Sequence, residues 1–351
     1  MSTQMNTPAK KPAGRAVLDY LKYLVTQRAI FLVLILLVVA IAIMDPNFLA
    51  YSTLRDILQQ NSTRAIIALG AGFILITGGT DLSAGRVVGL TAVVSASMLQ
   101  MDKYASKFYP DLHEIWIGWP ILIGILAGVL VGCVNGFIIA KLKVPPFIAT
   151  LGTMVAVYGL NSLYFDSDPN NSQPIAGLRD DFKKLGSGYI DFGGGYTLPY
   201  IVLIAIGIGI VCWILFNKTR LGKNMYAIGG NVQAAHVSGI NVARNLIFIY
   251  AIAGALYGVG GVLEAARTGG ATNNTGNMYE LDAIAACVVG GVSTAGGIGT
   301  VPGIMAGVLI FGVINYGLTF IGVSPYWQLI IKGLIIVAAV AFDIRKYVAK
   351  R

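Results

Sequence analysis

Ala283–Ile331 reads AIAACVVGGVSTAGGIGTVPGIMAGVLIFGVINYGLTFIGVSPYWQLII, 49 residues without an Asp, Glu, Lys or Arg. About 20 apolar residues suffice to cross a bilayer as a helix. The run is too long for one crossing, and Gly290-Gly291 and Gly296-Gly297 give it places to turn. Further uncharged runs cover 29–44, 65–80, 87–101, 115–140, 144–165, 192–217 and 245–263. The fold class is therefore all-α: a polytopic integral membrane protein with about ten transmembrane helices. They are expected near 29–44, 53–77, 84–102, 119–142, 145–165, 198–217, 245–266, 281–295, 301–322 and 326–343. The eighth is short enough for a re-entrant segment, which would leave nine crossings.

Hydrophobic residues make up 56% of the chain and charged residues 12%, against about 25% charged in soluble domains. A soluble enzyme is excluded. So is a nucleic-acid partner, although the formal charge is +9. In a membrane protein that charge records topology, because Lys and Arg collect on the cytoplasmic side. With the N-terminus inside, sixteen Lys and Arg lie in the cytoplasm and six outside. Both termini are then cytoplasmic, as tails 1–28 and 348–351 flanking a membrane domain 29–347 with a long inner loop, 218–244. The first span has no cleavage site after it, so it reads as a span and not a signal peptide. Most acidic residues fall on the outer loops, a docking surface for a partner with basic rims.

The three cysteines, Cys133, Cys212 and Cys287, sit in apolar runs and read as packing residues. His113 and His236 fall on opposite sides of the membrane, so no metal site is expected, and no cofactor. The chain has no G-x-x-x-x-G-K-[ST] phosphate loop. Long spans without carboxylates argue against ion coupling. Gly124, Gly128, Gly132 and Gly136 recur every four residues, lining one helix face for close approach of another helix, and Gly254/Gly258 and Gly303/Gly307 repeat the device.

Three motifs carry functional information. Gly78-Gly79-Thr80-Asp81-Leu82-Ser83-Ala84-Gly85 links the second and third spans. Its glycines permit a tight reversal, and Asp81 or Ser83 is suited to capping the next helix. In the inner loop, Gln233-Ala234-Ala235 followed by Ser238-Gly239-Ile240 makes a short helix with a small-residue face that ends in a turn. Glu280 and Asp282 begin the segment Tyr279–Ala286 that runs into Gly290-Gly291, where capping is again the simplest role. Together these resemble the G-G-x-D-L-S-x-G, E-A-A-x-x-x-G and E-L-x-x-I-A-A signatures of permease subunits of bacterial sugar ATP-binding-cassette importers, of the ribose/galactose/xylose type. The likeness covers about residues 29–347. Tyr158–Asp166 and Tyr326-Trp327-Gln328 bring it nearest to the galactose/methyl galactoside members.

The resemblance implies a homodimer, a second copy of the chain completing a sugar path. It also implies an ATP-binding subunit docked on Gln233, Ala234, Ala235, Ser238, Gly239 and Ile240, and a periplasmic sugar-binding protein outside. Gln233 stands where the family has Glu, so the shape contact remains while the charge does not. Glu280 and Asp282 would lie at the periplasmic mouth, and the site would be the bacterial inner membrane. Candidate path residues are polar or aromatic groups in apolar runs: Asn135, Asn161, Tyr164, Asn315, Tyr316, Trp327 and Gln328. The competing function is a stand-alone secondary sugar carrier without an ATPase.

Overall fold

The structure, a computed structural model, describes residues 29–348. The expected tail 1–28, and 349–351 of the expected C-terminal tail, lie outside the described residues. Ten long or apolar helices follow the hydropathy runs: α1 (Ala29–Met44), α2 (Tyr51–Ile76), α3 (Ala84–Ser97), α4 (Gly118–Lys141) and α5 (Pro146–Phe165), then α7 (Tyr200–Lys218), α10 (Val242–Thr268), α11 (Tyr279–Val289), α12 (Val301–Phe320) and α13 (Pro325–Val348). Between α5 and α7 come α6 (Asp180–Ser187) and a hairpin of β1 (Tyr189–Asp191) with β2 (Thr197–Pro199); between α7 and α10 come α8 (Arg220–Gly230) and α9 (Val232–Val237). Among them α4, α5, α7, α10 and α12 are long and apolar enough to cross a membrane by length and composition. The chain is a multi-pass helical membrane protein.

Helix α10 is the axis of the bundle. Its Gly254 and Gly258 lie on α4, where a Cβ at Gly128 would overlap the Gly254 carbonyl and one at Gly132 the Tyr250 carbonyl. The small-residue stripes read from the sequence meet one another, backbone on backbone. The same device joins α12 to α11: Gly303 rests on the Gly290 carbonyl and Gly307 on that of Ala286. Cys212 and Cys287 are buried and Cys133 half-buried, all as free thiols. Outward faces of α5 and α7 present Val155, Leu160, Leu163, Ile206 and Ile210, as residues against lipid would be.

Loops 98–117, 166–199 and 269–275 build a cap on one face. Ile175 and Ala271 exchange backbone hydrogen bonds of 2.9 Å, and the Met101 amide donates to the Gly177 carbonyl. Phe182 of α6 is fully buried beneath them, and the Tyr51 hydroxyl ties α2 to β2 through the Thr197 carbonyl at 2.5 Å. Lys107, 3.1 Å from Asp102, holds that carboxyl below its ordinary range. Trp116 and Trp119 are exposed at the cap end of α4 and Trp213 near the opposite end of α7, two aromatic levels of the kind found at membrane interfaces.

Helices α3 and α11 are the shortest of the ten. At about 1.5 Å per residue, α3 is about 21 Å long and α11 about 17 Å, against about 30 Å of hydrocarbon. The third span was expected to continue to 102, but α3 stops at Ser97 because Gln100 turns away to pair with Leu178 of the cap. The eighth, expected over 281–295, is helical only over 279–289, ended by Gly290 and by Gly291 at φ +88°.

The glycine seat of α10 makes a prediction. Gly128→Ala should destabilise the protein in detergent by the upper end of the about 1–3 kcal/mol that overpacking costs, or more, read as a lowered melting temperature. Gly159→Ala on α5, where an added Cβ meets nothing within 4 Å, should stay within about 0.5 kcal/mol of the parent.

Candidate functional site

Each short helix is preceded by a non-helical segment rich in turns. Residues 77–83 lead into α3 through Gly78 at φ +80°, and 269–278 lead into α11 through Gly269, Gly276 and Met278, all at positive φ. The two segments bring the first turns of α3 and α11 together. A Cβ at Gly85 would overlap both the Gly276 carbonyl and the Glu280 carboxylate, and one at Gly89 would overlap the Thr275 carbonyl. Arg86 also belongs here and not to an inner loop: it donates to Asn277 Oδ1 at 2.8 Å and lies 4.3 Å from the Tyr158 ring centroid.

The Asp81 carboxylate does not cap α3. It accepts from the Ser83 amide (2.8 Å) and hydroxyl (2.6 Å), and Asn135 Nδ2 donates to that hydroxyl at 2.9 Å. Ser83 makes no side-chain cap bond because its backbone, at φ −80° and ψ −13°, is already helical, whereas a capping side chain needs an extended residue. Thr150 of α5 accepts from the Leu82 amide and donates to the Thr80 carbonyl. The motif is thus a buried knot that satisfies a non-helical backbone. Glu280 and Asp282 leave α11 uncapped as well: Met278 precedes the helix at φ +63° with no side-chain cap bond.

Asp282 is engaged elsewhere. Its Oδ1 lies 2.7 Å from Lys332 Nζ on α13, and Oδ2 lies 4.0 Å from Arg64 Nε on α2. Arg64 also sits 5.6 Å from the Tyr279 ring centroid. The Tyr279 hydroxyl donates to Glu264 at 2.8 Å, and Glu264 takes further bonds from Thr63 (2.8 Å) and Arg267 (2.6 Å). A line of charge thus runs across α13, α11, α2 and α10. Nothing in the sequence spacing signals that Asp282 would join Arg64 and Lys332.

An open groove of about 410 Å³ between α2, α12 and α13 reaches Arg64 and Lys332 of this line, with Gln60, Asn315, Tyr316 and Gln328 also on its walls. Of the candidate path residues, Asn315, Tyr316 and Gln328 lie here, and Trp327 is 61% exposed beside Gln328 on α13. The other three lie apart. Asn135 belongs to the Asp81 knot. Asn161 Nδ2 donates to the Asn273 carbonyl at 3.5 Å, and the Tyr164 hydroxyl sits between those of Ser97 (2.7 Å) and Tyr109 (2.8 Å) under the cap.

On the face opposite the cap, three capped helix starts shape the loop 219–241. The Thr219, Asn231 and Asn241 side chains accept from the amides of Gly222, Ala234 and Arg244. Helix α9 presents Gln233, Ala234 and a largely bare Val237, followed by exposed Ser238 and Gly239 (φ +81°) and half-buried Ile240. Ala235 is buried against its own chain. Helix α8 connects this surface to the bundle. A Cβ at Gly229 would overlap the Ile76 carbonyl and press on the Gly297 amide, and the Tyr226 hydroxyl donates to the Gly299 carbonyl at 2.7 Å. Among the described residues no cluster of His, Cys, Asp and Glu is placed to hold a metal ion.

Residues 53–340 match the family described as the permease component of the branched-chain amino acid transport system. The galactose/methyl galactoside import permease protein MglC of Haemophilus influenzae is 55% identical over 93% of this chain and 97% of its own length. The MglC protein of Escherichia coli K12 is 52% identical over 96% and 98%, and the ribose import permease RbsC of Bacillus subtilis 39% over 90% and 92%. No solved structure matches.

The Asp282–Lys332 pair is open to a double-mutant cycle in detergent. Asp282→Asn and Lys332→Met should each lower stability by about 3–5 kcal/mol, since each strands a charge. The double variant should lose less than the sum, by about 0.5–3 kcal/mol.

Proposed function

Because the chain belongs to the permease-component family of branched-chain amino acid transport systems, we propose that it is the membrane subunit of an ATP-driven, binding-protein-dependent sugar importer for galactose and methyl galactoside. Sugar is preferred to amino acid as cargo because near-full-length likeness above 50% identity is to galactose/methyl galactoside import permeases. The chain is a transporter subunit and not an enzyme; a partner hydrolyses ATP.

In this reading the polypeptide crosses the bacterial inner membrane ten times with both termini in the cytoplasm. Residues 29–347 are the permease domain, flanked by tails 1–28 and 348–351. The excess of Lys and Arg on the α8–α9 side supports the orientation. The non-helical segments 77–83 and 269–278 let short α3 and α11 count as crossings, their backbone enclosed by protein. The groove supports a homodimer: in one chain its polar walls would face lipid, at high cost, and a second copy would close it into a path. Asn315, Tyr316, Trp327 and Gln328 would line that path, and a periplasmic sugar-binding protein would release cargo onto the acidic cap. Glu280 and Asp282 would stand below the mouth, where discontinuous helices commonly form transporter sites.

Coupling follows from the seat of Gly229. An ATP-binding subunit docked in loop 218–244, on Gln233, Ala234, Val237, Ser238 and Gly239, would displace α9 and with it α8. Helix α8 bears on the end of α2 and on the 290–300 turn, the roots of α3 and α11. Motion of the loop therefore reaches both broken crossings through packed backbone and not through a flexible linker. Ala235 contributes by holding α9 to the chain.

The observation that carries this reading is the exposed small helix α9, in a chain so close to import permeases. Ala234→Trp adds bulk to an exposed site, so the protein should reach the membrane at the parental level. Co-purification of the ATP-binding subunit and galactose uptake in proteoliposomes should both fall at least about tenfold, equivalent to about 1.4 kcal/mol of docking energy. Parental docking and uptake would refute the coupling surface, and galactose uptake by the chain without any ATPase would refute the importer.

A further inference from the structure

Among the described residues the groove holds a cation, Arg64, that makes an ion-pair and a ring contact but no hydrogen bond. Asp282 is already matched by Lys332 at 2.7 Å, whereas Arg64 stands 4.0 Å from it and rests on the Tyr279 ring. A guanidinium carries five N–H donors, and Arg64 has no hydrogen bond to any other described residue within the chain. An ionised group at membrane depth is held there only by a partner, by water or by a ligand. The about 410 Å³ beside it, walled by Gln60, Asn315, Tyr316, Thr319 and Gln328, is room for one. Those walls mix amide and hydroxyl groups with the ring faces of Tyr316 and Phe320, which stack 6.2 Å apart. Such a wall suits a ligand with hydroxyls on its edge and C–H groups on its face.

We propose that Arg64 is the hydroxyl-binding residue of the path, its free N–H groups taking hydroxyl oxygens of a neutral sugar in transit. The Asp282–Lys332 pair fixes Asp282 at a distance that steadies the guanidinium without occupying its donors. The proposal rests on the reading of the chain as a sugar permease and adds a residue that the likeness of motifs does not single out. Arg64 binds weakly because of its surroundings: the groove is open, its other described cation, Lys332, is held by Asp282, and the sugar must leave again.

The test uses the full transporter, this chain with its ATP-binding subunit in proteoliposomes and a galactose-loaded binding protein outside. Arg64→Met should cut galactose uptake about tenfold or more, while ATPase co-purification and ATP hydrolysis stay within about twofold of the parent; Arg64→Lys, with fewer donors, should fall between. A series of monodeoxygalactoses supplies the readout that a merely structural role would not move. The parent should lose rate on the analogue lacking the bound hydroxyl, and Arg64→Met should carry that analogue and galactose equally. Parental galactose uptake by Arg64→Met overturns the proposal, as does a loss equal for every analogue and accompanied by loss of the ATPase. If the parent itself carries no galactose, the sugar-permease reading fails first, and the assay shows that separately.

Discussion

Backbone that cannot reach water must be bonded or enclosed by protein, and in this molecule the enclosure depends on the contact of α4 with α10. The four glycines of α4 let its backbone lie on that of α10 at Gly254, Gly258 and the Tyr250 carbonyl. Side chains there would hold the helices farther apart, toward the upper part of the usual 8–10 Å range. With the gap closed, Tyr250, Tyr257 and Asn135 come close around the Asp81 loop. Without it, residues 77–83 would be an irregular strand in contact with lipid, which a bilayer does not tolerate.

That enclosure allows α3 and α11 to be short. A continuous helix satisfies its own amides and can stand in lipid alone; a broken one needs neighbours. The breaks lie where small residues are densest, at Gly85, Gly89 and Gly276 on one side and Gly290, Gly303 and Gly307 on the other. Helix starts carry unbonded amides and partial positive charge. The two starts are brought together, with the Glu280 carboxylate and the carbonyls of Thr275 and Gly276 packed against Gly85 and Gly89. The charged line through Asp282, Arg64 and Glu264 begins one turn further on, so the same breaks that loosen the fold also place charge inside it.

Hydropathy read the helices well because it measures what lipid requires. The α2, α4, α5, α7 and α12 boundaries lie within two residues of those expected, since each is ended by polar or turn-forming residues. It misjudged α3 and α11, because apolar composition does not distinguish a helix from an apolar strand packed inside protein; only the cap pairing of Gln100 and the φ +88° at Gly291 ended them. The site was legible in part. Asn315, Tyr316 and Gln328 stood out as polar groups in apolar runs, and they share the groove. Asn135, Asn161 and Tyr164 stood out equally, yet they bond neighbouring segments, a use that composition cannot separate from ligand binding. Arg64, Asp282 and Lys332 come from three distant parts of the chain, and their meeting is a property of the packing alone.

The geometry also limits what the coupling loop can do. Helix α8 touches the bundle at Gly229 on Ile76 and Gly297, and through Tyr226 on Gly299. These two contacts are to backbone beside the short helices, and Asn224 Nδ2 also donates to Asn245 Oδ1 on α10 at 3.0 Å. In the proposed coupling, a force applied at α9 reaches the groove through α2, which carries Arg64, and through α11, whose Asp282 faces Lys332 of α13. The 2.7 Å pair spans that joint. Its strength then sets how far the groove opens before the bond yields, and a pair at the joint resists motion in a way that a pair within one helix would not. Arg64 lies on α2, whose end is itself one of the seats of α8. In the proposed cycle the cation offered to the sugar and the carboxylate that steadies it are borne by two elements that the same loop moves, which would make release of the sugar a consequence of the stroke and not a separate event.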